Sequence, residues 1–436
     1  MTSWAPSRFA GLAPSLVLAA FLALAGCATG PSQPPAPISS GKPRVDPDPR
    51  TGQAGDDRPG DIHGTGIEAD VNGMPLPQPG KFTPEYLEGR DIMRAAVLLP
   101  FSHPNANVRA EAEGMLAGIE MALFDHASED FVLLPKDTAG SQSVATEAAE
   151  QAQREGAEFF LGPLFGANIA ALNGNRLFAG MPIIGFSNDR TVAGGSTWLA
   201  SITPEEEVKA LVDHAVANGI RQFAYFGPQS DLGTRIQAAL QFQAQQAGGI
   251  VISTGFYPAG EGSPTSEAQY LARSINQAEA RGRVAVLIPE RGTQLRRVAP
   301  LLAYYGVNRS VKLMGLSNWN DPGIWREPSL AGSWFVAPPQ ADLQAFESRY
   351  RRIYGQAPSS LASQAYDAAA LVMQLAKDGE LEREEMTQQD GFYGLNGLFR
   401  FAPDGTTQRK MAIFEVQPGG AVEIQPAGNS FAPDIG

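Results

Sequence analysis

From residue 92 onward the chain alternates two textures: short, almost unbroken apolar runs, and longer stretches whose apolar residues recur every three or four positions. The runs read as strands: MRAAVLLP (93–100), FVLLPKD (131–137), AEFFLGP (157–163), PIIGFS (182–187), FAYFGP (223–228), IVISTGFYP (250–258), VAVLIP (284–289) and VKLMGLS (311–317). They lack polar–apolar alternation, which suits parallel strands covered on both faces. The stretches between them, such as SQSVATEAAEQAQREG, PEEEVKALVDHAVANG and GTQLRRVAPLLAYYG, read as helices, several ending at a Gly where helices commonly stop. Thr203-Pro204-Glu205-Glu206 predicts a capping box with Pro in the first helical position. Strand–helix alternation at this spacing predicts a doubly wound α/β sheet.

The series runs to about residue 187, passes through STWLASITPEEE, and begins again, which predicts two such sheets. No short internal repeat is visible, although the two series are laid out alike. Near the end SWFVAPP (333–339) is followed by two helical stretches, ADLQAFESRYRRIYG and SSLASQAYDAAALVMQLAKDG, and then by GLFRFAPDGTTQRKMAIFEV. Pro403-Asp404-Gly405, between runs of strand formers, predicts a hairpin turn.

The first 90 residues have neither texture. Residues 1–26 carry Arg8 and then FAGLAPSLVLAAFLALAG, a charged n-region and an apolar h-region with small residues before a cut. The run is interrupted by Pro14 and is shorter than the roughly 20 residues a spanning helix needs. Leu24-Ala25-Gly26-Cys27 resembles a bacterial lipobox, which makes Cys27, the single cysteine of the 436 residues, an acyl anchor rather than a catalyst or half of a disulfide. Residues 27–90, rich in Pro, Gly, Ser and Asp, then read as a disordered tether averaging roughly 45 Å from end to end. Ala28 stands where an Asp would favour retention at the inner membrane, so the expected destination is the outer membrane, on its periplasmic face.

A net charge of −13 argues against nucleic acid as a partner. GFSND and GLSNW lack the closing Gly of a nucleophile elbow, and neither a Walker A sequence nor a G-x-G-x-x-G after the first strand is present. His63, His103, His126 and His214 are scattered, so neither a metal nor a cofactor is expected. The carboxylate pairs Glu111/Glu113 and Glu205/Glu206 read as solvated helix faces. No catalytic residue is predicted. In open α/β sheets ligands bind beyond the carboxyl ends of the strands. Those ends read PFSHPN, GPLFGAN, GFSNDR, GPQSDLG, PERGTQ and GLSNWN, whose small polar residues suit a small polar ligand and equally suit ordinary turns and caps.

AAVLLPFSHPNANVRAEAEGMLAGIEMALFD, with small residues at Gly114 and Gly118, resembles the opening of type I periplasmic-binding proteins of the Leu/Ile/Val-binding class. AEFFLGPLFGANIAAL, MPIIGFSNDRTVAG and STWLASITPEEEVKALVDHA continue the resemblance in order, and it covers roughly residues 92–428. It implies two α/β lobes closing over a cleft and joined by three crossings, near 201–203, 337–339 and 397–400. Lobe one would then comprise residues 91–203 and 340–396, and lobe two residues 204–339 and 397–428. Cleft candidates carried over from the resemblance and the loops are Ser102, Phe165, Ser187, Asn188, Asp189, Ser230, Asp231 and Asn318.

LGPLFGANIAAL, GFSNDRTVAG and GLNGLFRFAPDG are most similar to a narrower group, the lipoproteins called penicillin-binding protein activators. That resemblance implies a non-enzymatic partner of a bifunctional penicillin-binding protein. Amino-acid-binding members offer a hydroxyl after the third strand, an aromatic before Gly in lobe two, and an acidic group for the ligand amine. This chain has Phe165-Gly166, Leu232-Gly233 and Ser317-Asn318 at those places. Losing two hydrogen bonds and an ion pair removes several kcal/mol of recognition, about 1–3 kcal/mol for each unmade bond. The alternative is a lipid-anchored receptor delivering amino acids or amides to an ABC importer.

Overall fold

The computed structural model describes residues 83–127, 130–260, 262–359, 361–376, 381 and 383–431. The expected export signal, Cys27, His63 and the expected tether up to residue 82 lie outside the described residues. The tether was expected to run to residue 90, yet a single helical turn already stands at Glu85–Leu87. Leu87 is buried beside Ile92, and Arg90 pairs with Asp130 at 3.0 Å, contacts that composition alone does not reveal.

The first half alternates as predicted through β1 (Met93–Leu99), α1 (Ala106–His126), β2 (Phe131–Asp137), α2 (Gln142–Arg154), β3 (Phe159–Leu161), α3 (Gly166–Asn173) and β4 (Ile183–Gly185), and adds an unpredicted strand, β5 (Thr197–Leu199). These strands form a parallel five-stranded sheet in the order β2-β1-β3-β4-β5. Alternate residues of β1 feed its two faces. Ala95, Val97 and Leu99 join one apolar cluster, while Ala96 and Leu98 join another. Burial on both faces is the physical reason for the unbroken apolar runs.

The second series is α4 (Pro204–Ala217), β6 (Gln222–Gln229), α5 (Asp231–Gln246), β7 (Ile250–Pro258), α6 (Thr265–Glu279), β8 (Val284–Leu287), α7 (Gly292–Tyr304), β9 (Lys312–Gly315) and β10 (Trp334–Ala337). The chain then returns through α8 (Gln340–Tyr354), α9 (Ala362–Leu375), α10 (Arg383–Met386), β11 (Phe392–Gly394), β12 (Gly397–Phe401), β13 (Thr407–Arg409), β14 (Ala412–Gln417) and β15 (Gly420–Gln425). The second sheet runs β15-β14-β10-β9-β8-β6-β7. Its five parallel strands repeat the order of the first sheet, and β14 and β15 are antiparallel additions. The likeness in layout is therefore a likeness in topology.

Helices α8 and α9 return to the first lobe, where α1 and α9 pack against each other. A Cβ built on Gly118 would lie 2.2 Å from the Ala362 carbonyl oxygen, so the small residue permits the close helix contact. The third crossing differs from expectation. Residues 397–400 do not enter lobe two; β11, β12 and β13 form a separate antiparallel sheet, and Phe399 and Phe401 join the first lobe's core. The Pro403-Asp404-Gly405 turn forms as predicted, and the Gly405 carbonyl accepts the Leu199 amide of β5 at 2.9 Å. Thr407 Oγ1 donates to the Leu199 carbonyl. These bonds hold the hairpin on the edge of the first sheet, and the chain crosses only at residues 410–411, just before β14. Among the described residues no helix is long and apolar enough to cross a membrane.

Candidate binding cleft

A 2-1-3-4-5 strand order places its switch point between the first and third strands, where loops diverge and leave a crevice. In the first lobe this edge gathers four of the candidates. Phe165, the residue before α3, sets its ring 5.6 Å from that of His103, in the loop that holds Ser102. Gly166 faces Ser187 Oγ at 3.0 Å and Asp189 Cβ at 3.3 Å, measured from the position of a built Cβ. The Ser102 amide donates to Asp137 Oδ1 at 3.1 Å.

These polar groups are largely committed to local structure. Ser187 Oγ accepts the Asp189 amide at 3.1 Å, and Asp189 Oδ1 accepts the amide and hydroxyl of Thr191 at 3.0 and 2.7 Å. The hydroxyl and amide of Thr191 hold the Asp189 carboxyl below the usual range, and the charge of Arg235 adds to the effect. Burial would raise Asp137, but hydrogen bonds from Ser102, Ala139 and Phe101 outweigh it and leave that carboxyl low as well.

In the second lobe Ser230 caps α5, accepting the Gly233 amide at 3.0 Å, and Asp231 is exposed in the first turn. Asn318 is exposed in a short turn at Ser317–Trp319, with no hydrogen bond to another candidate among the described residues. Beside that turn stand two carboxylates absent from the candidate set. Glu207 is buried and its Oε1 accepts the Ser317 amide at 2.7 Å. Glu290 accepts the Tyr257 hydroxyl at 2.8 Å and, through its backbone oxygen, the Trp319 indole at 3.0 Å. Burial raises the pKa of both, more than their hydrogen bonds lower it. Glu290 lies within the PERGTQ loop at a strand end, which was the available sequence signal.

The two lobes meet through Arg235 of α5. Its guanidinium grips Glu205 with bonds of 2.7 and 2.9 Å, and Nη2 also donates to the Asn188 carbonyl across the cleft at 2.8 Å. Glu205 is thus not a solvated carboxylate, nor is Glu206, which burial drives to a raised pKa against the opposing charges of Arg190 and Lys209. Glu111 likewise accepts the Leu361 amide at 2.7 Å, while Glu113 is exposed as expected. The capping box is not formed: Thr203 Oγ1 is buried without a hydrogen-bond partner, and the Glu206 carboxylate is directed to the backbone amide of Arg409. Among the described residues no group of three His, Cys, Asp or Glu side chains gathers as a metal site.

Two doubly wound lobes of matching topology, linked by three crossings and meeting at their strand ends, define a protein of the two-lobed periplasmic-binding class. The chain belongs to that family: the family model described as periplasmic binding protein matches residues 93–421. A curated relative is the penicillin-binding protein activator LpoA of Pasteurella multocida (strain Pm70), 27% identical over 168 residues, which are 38% of this chain and 28% of the relative. The chain thus matches little more than a quarter of that relative's length. A structure described as a putative branched-chain amino acid ABC transporter from Rhodospirillum rubrum aligns with a TM-score of 0.66 and 17% identity, over 77% of this chain and 100% of that one. The C-domain of LpoA from Haemophilus influenzae, described as a regulator of PBP1A, aligns with a TM-score of 0.59 and 16% identity, over 76% and 99%.

Proposed function

We propose that this chain is a lipid-anchored outer-membrane protein that docks on a bifunctional penicillin-binding protein and stimulates its peptidoglycan synthesis, with no chemistry of its own. The observation that carries the reading is the commitment of the first-lobe cleft edge. Phe165 packs on His103 where solute receptors would offer a hydroxyl, and Ser187 and Asp189 are engaged in caps. Leu232-Gly233 supplies no aromatic wall to the second lobe. Similarity to the two LpoA proteins supports the same partner class. Cys27 would supply the anchor and residues 28–82 the reach. Crosslinking and pull-down with purified bifunctional synthases test it; absence of both binding and stimulation refutes it.

A second reading, a solute receptor of an ABC importer, draws on the Rhodospirillum rubrum neighbour and on Glu290 beside the second switch point. A ligand that binds only the folded state raises its melting temperature by mass action. A saturable rise with one amino acid or amide would favour this reading over the first.

A further inference from the structure

A cavity of about 520 Å³ lies away from the cleft, between α4, the β13–β14 crossing and residues 425–431. In a chain of net charge −13 its lining is reversed in sign: Lys209, Arg400, Arg409 and Lys410 face Glu206 and Asp213. Asp213 is paired with Lys209 at 2.6 Å and Arg409 with Asp367 at 3.8 Å, which leaves Arg400 and Lys410 against the single carboxylate of Glu206. Lys410 has no carboxylate partner among the described residues. Arg409 has 2% of its side chain exposed, gives Nη1 to the Asn396 carbonyl at 3.0 Å, and stands 3.8 Å from Asp367. Its Nε is buried without a hydrogen-bond partner. Asp367 offsets the Arg409 charge, but the buried Nε donor is left without an acceptor, which costs stability unless one reaches it.

The last described residues form one side of the cavity. The Phe431 ring lies 4.3 Å from the Arg400 guanidinium carbon and 5.3 Å from Lys410 Nζ, held by cation–π attraction. The volume falls within the roughly 300–1,000 Å³ of small-molecule sites.

We propose that this cavity is an anion site for a small molecule carrying two or more carboxylate or phosphate groups, with Lys410 and Arg400 as its cationic wall. Lys410 stands in the third crossing and α4, which follows the first, forms the facing wall, so the bound anion sits beside two of the three connections between lobes. The site is separate from the cleft and independent of which partner the protein serves.

Thermal-shift and calorimetric titrations of the intact protein with citrate and with inorganic phosphate test the proposal, against sodium chloride at matched ionic strength. A saturable response to either anion is expected, weakened about tenfold or more by Lys410→Glu. Lys410→Arg should retain it, and comparable unliganded melting temperatures in the two variants establish that both fold. A response to citrate alone identifies a carboxylate ligand, and one to phosphate alone a phosphate ligand. No saturable response below about 10 mM, a response reproduced by chloride, or binding undiminished in Lys410→Glu overturns the proposal.

Discussion

Replacing Arg235 with Ala should loosen the two lobes without unfolding either. The side chain makes three bonds, but only that from Nη2 to the Asn188 carbonyl, at 2.8 Å, crosses the cleft; the two to Glu205 lie within the second lobe. A hydrogen bond from a charged donor is worth about 1.5–3 kcal/mol net. Arg235 is 33% exposed, and solvent screening reduces the crossing bond to about 1 kcal/mol. That corresponds to about a fivefold shift in the ratio of closed to open lobes. The assay is single-molecule energy transfer between dyes at Arg176→Cys and Gln245→Cys, both exposed and one in each lobe, in a chain whose sole native cysteine, Cys27, has been replaced. The expected result is a longer or broader distance distribution in the Ala variant, with a chemical-denaturation midpoint close to the parent's. An unchanged distribution would refute the bridging role of Arg235, and loss of folding would show that the Glu205 pair matters chiefly to the second lobe itself.

Gly118→Ala places a Cβ 2.2 Å from the Ala362 carbonyl and should cost about 1–3 kcal/mol through overpacking of α1 against α9, read by urea denaturation. Asp367→Ala removes the acceptor of the Leu395 amide at 2.6 Å and the Asn396 amide at 3.1 Å, and strands Arg409, so a loss of about 3–5 kcal/mol is expected in the same assay. Glu206, Glu207 and Glu290 have folded-state pKa values above the ordinary 4.5, with burial as the main cause. The folded state therefore holds more protons than the unfolded one above pH 4.5, so the contribution of these groups to stability falls as pH rises through their folded pKa values. Glu206→Gln should flatten that fall, measured as melting temperature against pH; an unaltered slope would contradict the assignment.

Most of the fold was legible because strands buried on both faces must be continuous apolar runs, as AAVLL, FFL and VAVL are. What escaped depended on distant partners. β5 is only Thr-Trp-Leu in a polar segment, and its edge is completed by Gly405 and Thr407, some two hundred positions later. The same bonds explain why residues 397–409 stay with lobe one and the third crossing falls at 410–411. Glu205 and Glu206 looked solvated because helical position alone cannot disclose Arg235 on another helix or the backbone of Arg409. At the cleft the sequence located the loops, since strand ends are recognisable. It could not tell that Ser187 and Asp189 spend their hydrogen bonds on neighbouring amides, because caps and ligand sites use the same residue types.

The central claim is that the folded body grips a protein rather than a solute. Reconstituting the protein with a purified bifunctional penicillin-binding protein, and quantifying crosslinked peptidoglycan product, tests it most directly. The account predicts a saturable rise in crosslinking that requires the added protein and is accompanied by a chemical crosslink between the two chains. No binding and unchanged product, together with a saturable melting-temperature rise from an amino acid or amide, would contradict it.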